Sequence, residues 1–134
     1  MTVRPKAILD TCVLVDILRG KKDKLREKLQ NFDISKCAIT DLTRFELLCG
    51  AEKSSDREAN IRIVNEICAS FDTWPTASGY EHAAKEKVRL EKEGEIIADI
   101  DLLIGSVCAA EGFPLVTGNI KHMKRIQDII LIPW

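Results

Sequence analysis

Short apolar runs alternate with helix-length segments along this chain, and the first run ends on an aspartate. Ala7-Ile8-Leu9 reads as a buried strand that stops at Asp10-Thr11. Residues 34–39 and Leu115-Val116-Thr117 read the same way, with further strands at Thr73-Trp74-Pro75 and 129–132. Between them apolar residues recur at helical spacing. Helices are expected over 12–18, closed by Gly20, and over 21–30. Another starts from an N-cap at Thr40 and runs to about Lys53, and one covers 56–70. Thr76 or Ser78 should cap a long polar helix ending at Gly94, and Asp99 should cap an apolar helix over 100–110, ended by Gly112. A helical turn at 122–126 precedes the last strand. Strands alternating with helices imply an α/β fold whose parallel sheet is covered on both faces. In such sheets ligands bind beyond the carboxyl ends of the strands, and that rule selects residues.

At 134 residues the chain is expected to form a single domain over 1–134, large enough to fold without a disulfide or metal. Hydrophobic residues at 46% and charged residues at 31% exclude a disordered chain. A formal charge of -1 excludes a grip on nucleic acid by bulk charge but leaves room for a local basic patch. Five cysteines, an odd number without a CxxC pair, read as free thiols in a reducing cytosol. His82 and His122 are the only histidines, so no closely spaced Cys/His ligand set for zinc exists. No signal peptide and no run of about 20 apolar residues is present, so a cytoplasmic protein without membrane contact is expected.

Several carboxylates stand where a core should be. Asp10 directly follows the first strand, where an N-cap for the next helix is the plain alternative. Glu46 lies on the flank of the stripe formed by Leu42, Phe45 and Cys49, beside Leu47 and Leu48. A carboxylate there calls for a positive partner, either a basic side chain or a cation. Asp99 and Asp101 open the most apolar helix, and Asp101 shares a face with Ile104, Gly105 and Cys108. Thr117 and Asn119 follow a strand, where an ordinary polar turn is the alternative. Gathered at one end of a sheet, these acids would repel and raise one another's pKa. An all-oxygen acidic cluster suits a hard divalent cation, Mg²⁺ or Mn²⁺. The chemistry implied is metal-assisted phosphoester hydrolysis.

In this order the residues resemble the PIN-domain ribonucleases, most closely the VapC toxins of toxin–antitoxin pairs. Four motifs carry the likeness: Ile8-Leu9-Asp10-Thr11 with Arg19-Gly20; Phe45-Glu46-Leu47 with Gly50-Ala51-Glu52-Lys53; Asp99-Ile100-Asp101-Leu102-Leu103-Ile104; and Val116-Thr117-Gly118-Asn119 through Lys121-His122. The family's invariant acids fall on Asp10, Glu46 and Asp101. Asp99 matches a frequent extra acid, Asn119 takes a place held by Asp or Asn, and Thr117, like Thr11, matches a supporting position. Gly118 and Met123 depart from the pattern, where a larger polar residue and an aromatic are usual. The resemblance implies a three-layer α/β/α sandwich and a Mg²⁺-dependent endoribonuclease. Asp10, Glu46, Asp101, Asp99 and Asn119 would hold the ion. It also implies a VapB-type antitoxin partner, homodimerisation, and structured RNA such as tRNA or rRNA as substrate.

RNA grip would come from local charge. Residues 19–28 hold six Lys or Arg against two acids, net +4, including Arg19, Lys21 and Lys22. Lys121, Lys124 and Arg125 form a second positive group. His122 reads as a surface or packing residue and Trp134 as a terminal core residue. Among rivals, haloacid-dehalogenase phosphatases need a second Asp two residues after the first, where this chain has Cys12. Flap-type nucleases are longer. A PIN nuclease of RNA processing without a toxin role, or a catalytically inactive RNA- or protein-binding module, are the remaining alternatives.

Overall fold

The computed structural model describes residues 3–20, 22–30 and 32–134, the Lys22 side chain excepted. Five strands, β1 (Ile8–Leu9), β2 (Ala38–Thr40), β3 (Asp72–Trp74), β4 (Leu115–Thr117) and β5 (Leu131–Pro133), form one sheet in the order β3-β2-β1-β4-β5. Every pairing is parallel. The chain builds outward from β1 through β2 to β3, then returns to the other side of β1 with β4 and β5. The switch point therefore lies between the carboxyl ends of β1 and β4, the place where open α/β sheets bind ligands.

Seven α-helices accompany the sheet among the described residues: α1 (Thr11–Arg19), α2 (Lys22–Leu29), α3 (Asp41–Glu52), α4 (Arg57–Ala69), α5 (Tyr80–Glu93), α6 (Asp99–Glu111) and α7 (Ile120–Met123). Successive strand residues point to opposite faces. Ile8, Ala38 and Leu115 accordingly enter a core with Leu90, Leu102, Ile104 and Met123, from α5, α6 and α7. Leu9, Ile39 and Val116 enter a second core with Val13, Leu47 and Val64, from α1, α3 and α4. Two cores on one sheet make the α/β/α sandwich expected from the sequence.

Local chemistry explains most boundaries and three departures. Thr40 ends β2 and also caps α3, its Oγ1 accepting from Thr43 N–H at 3.4 Å. Residues 34–39 are not one strand. Asp33 accepts from the backbone N–H of Ser35 at 3.1 Å, which winds Ile34–Lys36 into a 3₁₀ turn before β2 begins. Neither Thr76 nor Ser78 caps α5. Thr76–Gly79 forms a 3₁₀ turn held by Asp41 Oδ1, which accepts from Thr76 N–H at 3.1 Å. Gly79 then packs backbone to backbone on α6, where a methyl group would stand 2.6 Å from Val107 Cα. Asp99 is the first residue of α6 and not its cap, a place taken by Ala98. No helix among the described residues is long and apolar enough to cross a membrane.

Candidate active site

A single-residue junction aims the first of the site residues. Asp10 alone joins β1 to α1, so its side chain emerges at the switch point. It is 4% exposed, and each of its carboxylate oxygens has a job. Oδ1 accepts from Thr11 N–H at 2.9 Å and caps α1. Oδ2 accepts from Thr117 Oγ1 at 2.7 Å, across the switch point from the end of β4. Capping thus occupies one oxygen of Asp10 and leaves the other to Thr117. Thr117 is fully buried and takes Asn119 N–H at 2.9 Å on its hydroxyl.

Glu46 sits half-buried on α3, and its Oε1 accepts from Thr11 Oγ1 at 2.6 Å. Thr11 Oγ1 also lies 3.1 Å from Thr43 Oγ1. Asp101, half-buried in the first turn of α6, has its Oδ2 3.4 Å from the donating amide of Asn119. Burial, followed by the negative charges of Asp10 and Glu46, pushes the Asp101 carboxyl above its ordinary value; His122 acts in the opposite direction. Asp101 on α6 thus senses the carboxylate that follows β1 and the one on α3. None of the ion pairs among the described residues involves any of the three.

Asp99 is not brought to this group. Residues two apart on a helix point about 200° away from each other, so turning Asp101 inward turns Asp99 outward. Its side chain is 70% exposed and bonded to Lys87 Nζ of α5 at 2.7 Å. Asn119 is beside the acids, but as a donor to Asp101. Its Oδ1 accepts from His122 Nδ1 at 2.9 Å, which requires the proton of that ring on Nδ1. Two further residues join the site wall: Thr43, which the sequence reading does not single out, and His122, which it reads as a surface or packing residue. Their links run to groups on other elements or other turns, so spacing alone carries no signal for Thr43. For His122, its position three residues after Asn119 was the available clue. Cys12 lines the same wall with Sγ 3.4 Å from Gly118 N–H, and burial raises its thiol pKa.

The donor set fits a hard divalent cation: carboxylate oxygens with hydroxyl support, uncompensated by any described lysine or arginine. Among the described residues no three Asp, Glu, His or Cys side chains already converge on one point as a closed cage. Mg²⁺ keeps several waters and takes only one or two carboxylates directly, which agrees with so open an arrangement.

Of the basic candidates, Arg19 is exposed at the end of α1 and lines a groove of about 360 Å³ that also reaches Thr11 and Glu46. Lys121 is exposed on α7, two residues past Asn119. Lys21 and the side chain of Lys22 lie outside the described residues. Arg125 is committed elsewhere, to Glu95 at 3.0 Å and the carbonyl of Ile96 at 3.1 Å.

The chain is similar to known proteins in both sequence and fold. Residues 7–129 match the PIN domain family. The tRNA(fMet)-specific endonuclease VapC of Salmonella typhimurium is 27% identical over 131 residues, covering 96% of this chain and 98% of the relative. Ribonuclease VapC2 of Rickettsia felis is 31% identical over 129 residues, covering 95% and 96%. Among solved structures, DNA-bound VapBC from Salmonella typhimurium superposes with a TM-score of 0.86 at 26% identity, covering 98% of this chain and 99% of that one. Matched to that family over nearly its whole length, and built on the same parallel sheet with Asp10 at its switch point, the chain belongs to the PIN-domain family, among its VapC ribonucleases.

Proposed function

We propose that this chain is a Mg²⁺-dependent endoribonuclease, the toxin of a type II toxin–antitoxin pair, with Mn²⁺ as a substitute ion. The observation that supports the reading is that Asp101 lies near enough to Asp10 and Glu46 for their charges to raise its pKa, while no ion pair among the described residues involves any of the three. Asp10, Glu46 and Asp101 would hold the ion. When bound, it supplies Lewis acidity that screens charge building on the phosphoryl oxygens and makes water acidic enough to attack near neutral pH.

The chain's own residues do the rest. Thr117 and Thr11 fix the Asp10 and Glu46 carboxylates through their hydroxyls. Asn119, backed by His122, holds Asp101 by its amide N–H. Arg19 and Lys121, exposed on either side, attract the phosphate backbone as point charges. The products would be 5′-phosphate and 3′-hydroxyl ends.

The substrate class is structured RNA, tRNA or rRNA, since one relative carries the name of a tRNA-specific endonuclease. A VapB-type antitoxin is the expected partner, because the superposed Salmonella structure is a VapBC complex. The groove beside Glu46, walled by Val15, Ile63 and Val64, offers that partner an apolar seat next to the acids. Homodimerisation and a cytoplasmic location complete the reading.

The test is cleavage of total tRNA and rRNA by the purified chain. Cleavage should require Mg²⁺ or Mn²⁺, stop in EDTA, and fall by at least about 100-fold in Asp10→Asn and Asp101→Asn. Full cleavage in EDTA would overturn the metal reading. Folded chain that leaves RNA intact in Mg²⁺ would favour the binding-module alternative.

A further inference from the structure

Asp10 and Glu46 are each held by one threonine hydroxyl, but the two threonines are steered differently. Thr117 donates to Asp10 Oδ2 at 2.7 Å and accepts from Asn119 N–H at 2.9 Å, so backbone fixes its direction. Thr11 Oγ1 has no such backbone donor. It lies 2.6 Å from Glu46 Oε1 and 3.1 Å from Thr43 Oγ1.

A hydroxyl carries one proton. A carboxylate only accepts, so the Thr11 proton goes to Glu46. The contact between the two threonines then leaves Thr43 as the donor, to a lone pair of Thr11. Thr43 is fully buried on α3, three residues before Glu46, and its own backbone N–H is occupied by Thr40 Oγ1. Its hydroxyl is thus screened from water and has Thr11 as its hydrogen-bond partner. A chain of donors runs from Thr43 to Thr11 to Glu46, tying α3 to α1 and back to α3.

We propose that Thr43 is a positioning residue: its buried hydroxyl directs the Thr11 proton onto Glu46 and so orients that carboxylate for the divalent cation. The inference rests on Glu46 being a ligand of that cation. Partners that orient ligands are typically worth about 10–100-fold in metal affinity. Thr43 acts through an intermediate hydroxyl, so an effect of roughly 3–10-fold is expected here.

The experiment measures Mn²⁺ affinity of the full chain by calorimetry, with Mg²⁺ dependence of RNA cleavage and thermal unfolding in EDTA beside it. Thr43→Val keeps the shape and removes the donor. It should weaken Mn²⁺ binding by about 3–10-fold and shift the Mg²⁺ concentration for half-maximal cleavage by the same factor, with the rate at saturating Mg²⁺ largely kept. Thr43→Ser keeps the donor and should bind like the parent chain. Unfolding of Thr43→Val in EDTA should occur at the parent temperature or above. If valine does not pack, Thr43→Ala makes the same cut. Parent-like Mn²⁺ affinity in a folded Thr43→Val or Thr43→Ala overturns the proposal. Glu46→Gln separates the two levels. If it also leaves Mn²⁺ affinity intact, the ligand reading of Glu46 falls and this proposal with it. If it alone weakens binding, only the role of Thr43 falls.

Discussion

Asp99 and Asp101 put the question at its smallest scale: two carboxylates two residues apart, on one helix turn, with opposite surroundings. Asp101 is crowded by burial and by Asp10 and Glu46, while Asp99 is an exposed partner of Lys87. Asp101→Asn should abolish cleavage, whereas Asp99→Ala should leave it within about twofold and change stability by less than about 0.5 kcal/mol, since exposed ion pairs contribute little. Asp101→Asn should also stabilise the metal-free chain at neutral pH. An acid whose folded pKa is raised binds more protons in the native state than in the unfolded one, so stability falls as pH rises from its ordinary value, 3.8, through the raised one. Thermal unfolding in EDTA across pH should show that fall in the parent and lose it in Asp101→Asn. Ser106 gives a second residue-scale test. Its hydroxyl is buried with no hydrogen-bond partner. Ser106→Ala removes that penalty and adds helix propensity, so it should stabilise by about 1 kcal/mol, a rise of roughly 3–5 °C in the unfolding midpoint.

Among elements, α5 carries the most buried ion pair. Glu86, 4% exposed, accepts from Arg89 Nε at 2.6 Å and also takes the backbone N–H of Gln127. Arg89 in turn donates to the carbonyl of Arg125 at 2.7 Å. The pair therefore clamps the loop that leads from α7, next to the site, into β5. The Arg89 guanidinium first, then Gln127 N–H, hold the Glu86 carboxyl below its ordinary value of 4.5, against the opposing effect of burial. A depressed acid contributes stability that is present above its unfolded pKa and disappears as pH falls through the folded one. Glu86→Gln should cost about 2 kcal/mol in urea unfolding at pH 7, because it leaves the exposed Glu93 as the one carboxylate paired with Arg89. The difference from the parent should shrink below pH 4. Cleavage at saturating Mg²⁺ should survive in the folded fraction.

For the molecule as a whole, charge is nearly balanced, so attraction for RNA has to be local. Lys28, one of the six cations of residues 19–28, is partly spent on structure. It pairs with Asp16 at 3.4 Å and stands 4.9 Å over the Trp134 ring, whose indole N–H bonds the same aspartate at 2.9 Å. The carboxyl end is thus pinned to α1, which makes Trp134 a packing residue. Lys121 remains exposed beside the site. Lys121→Ala should weaken RNA binding by a few-fold, reduce its salt dependence by about one phosphate contact, and leave Mn²⁺ affinity unchanged. A filter-binding series against salt concentration, with calorimetry for the ion, checks all three.

Much of this arrangement was readable in the linear chain because it depends on short-range rules. A buried strand followed at once by an acid puts that acid at a sheet edge, and the alternation of strands with helices makes the sheet parallel; Asp10, Thr117 and the α/β/α layers follow from that alone. Helix ends at Gly94 and Gly112 were legible because both glycines adopt left-handed φ, 69° and 75°. Asp33 turning Ile34–Lys36 out of the strand was a local competition that apolar spacing does not record. Other facts required elements distant in sequence to meet. The outward turn of Asp99 depends on which face of α6 the sheet covers. The donor order Thr43–Thr11–Glu46 depends on α1 and α3 packing 32 residues apart in the chain. Periodicity says which residues are buried, whereas hydrogen-bond direction and mutual repulsion among carboxylates exist only once three-dimensional distance replaces separation along the backbone.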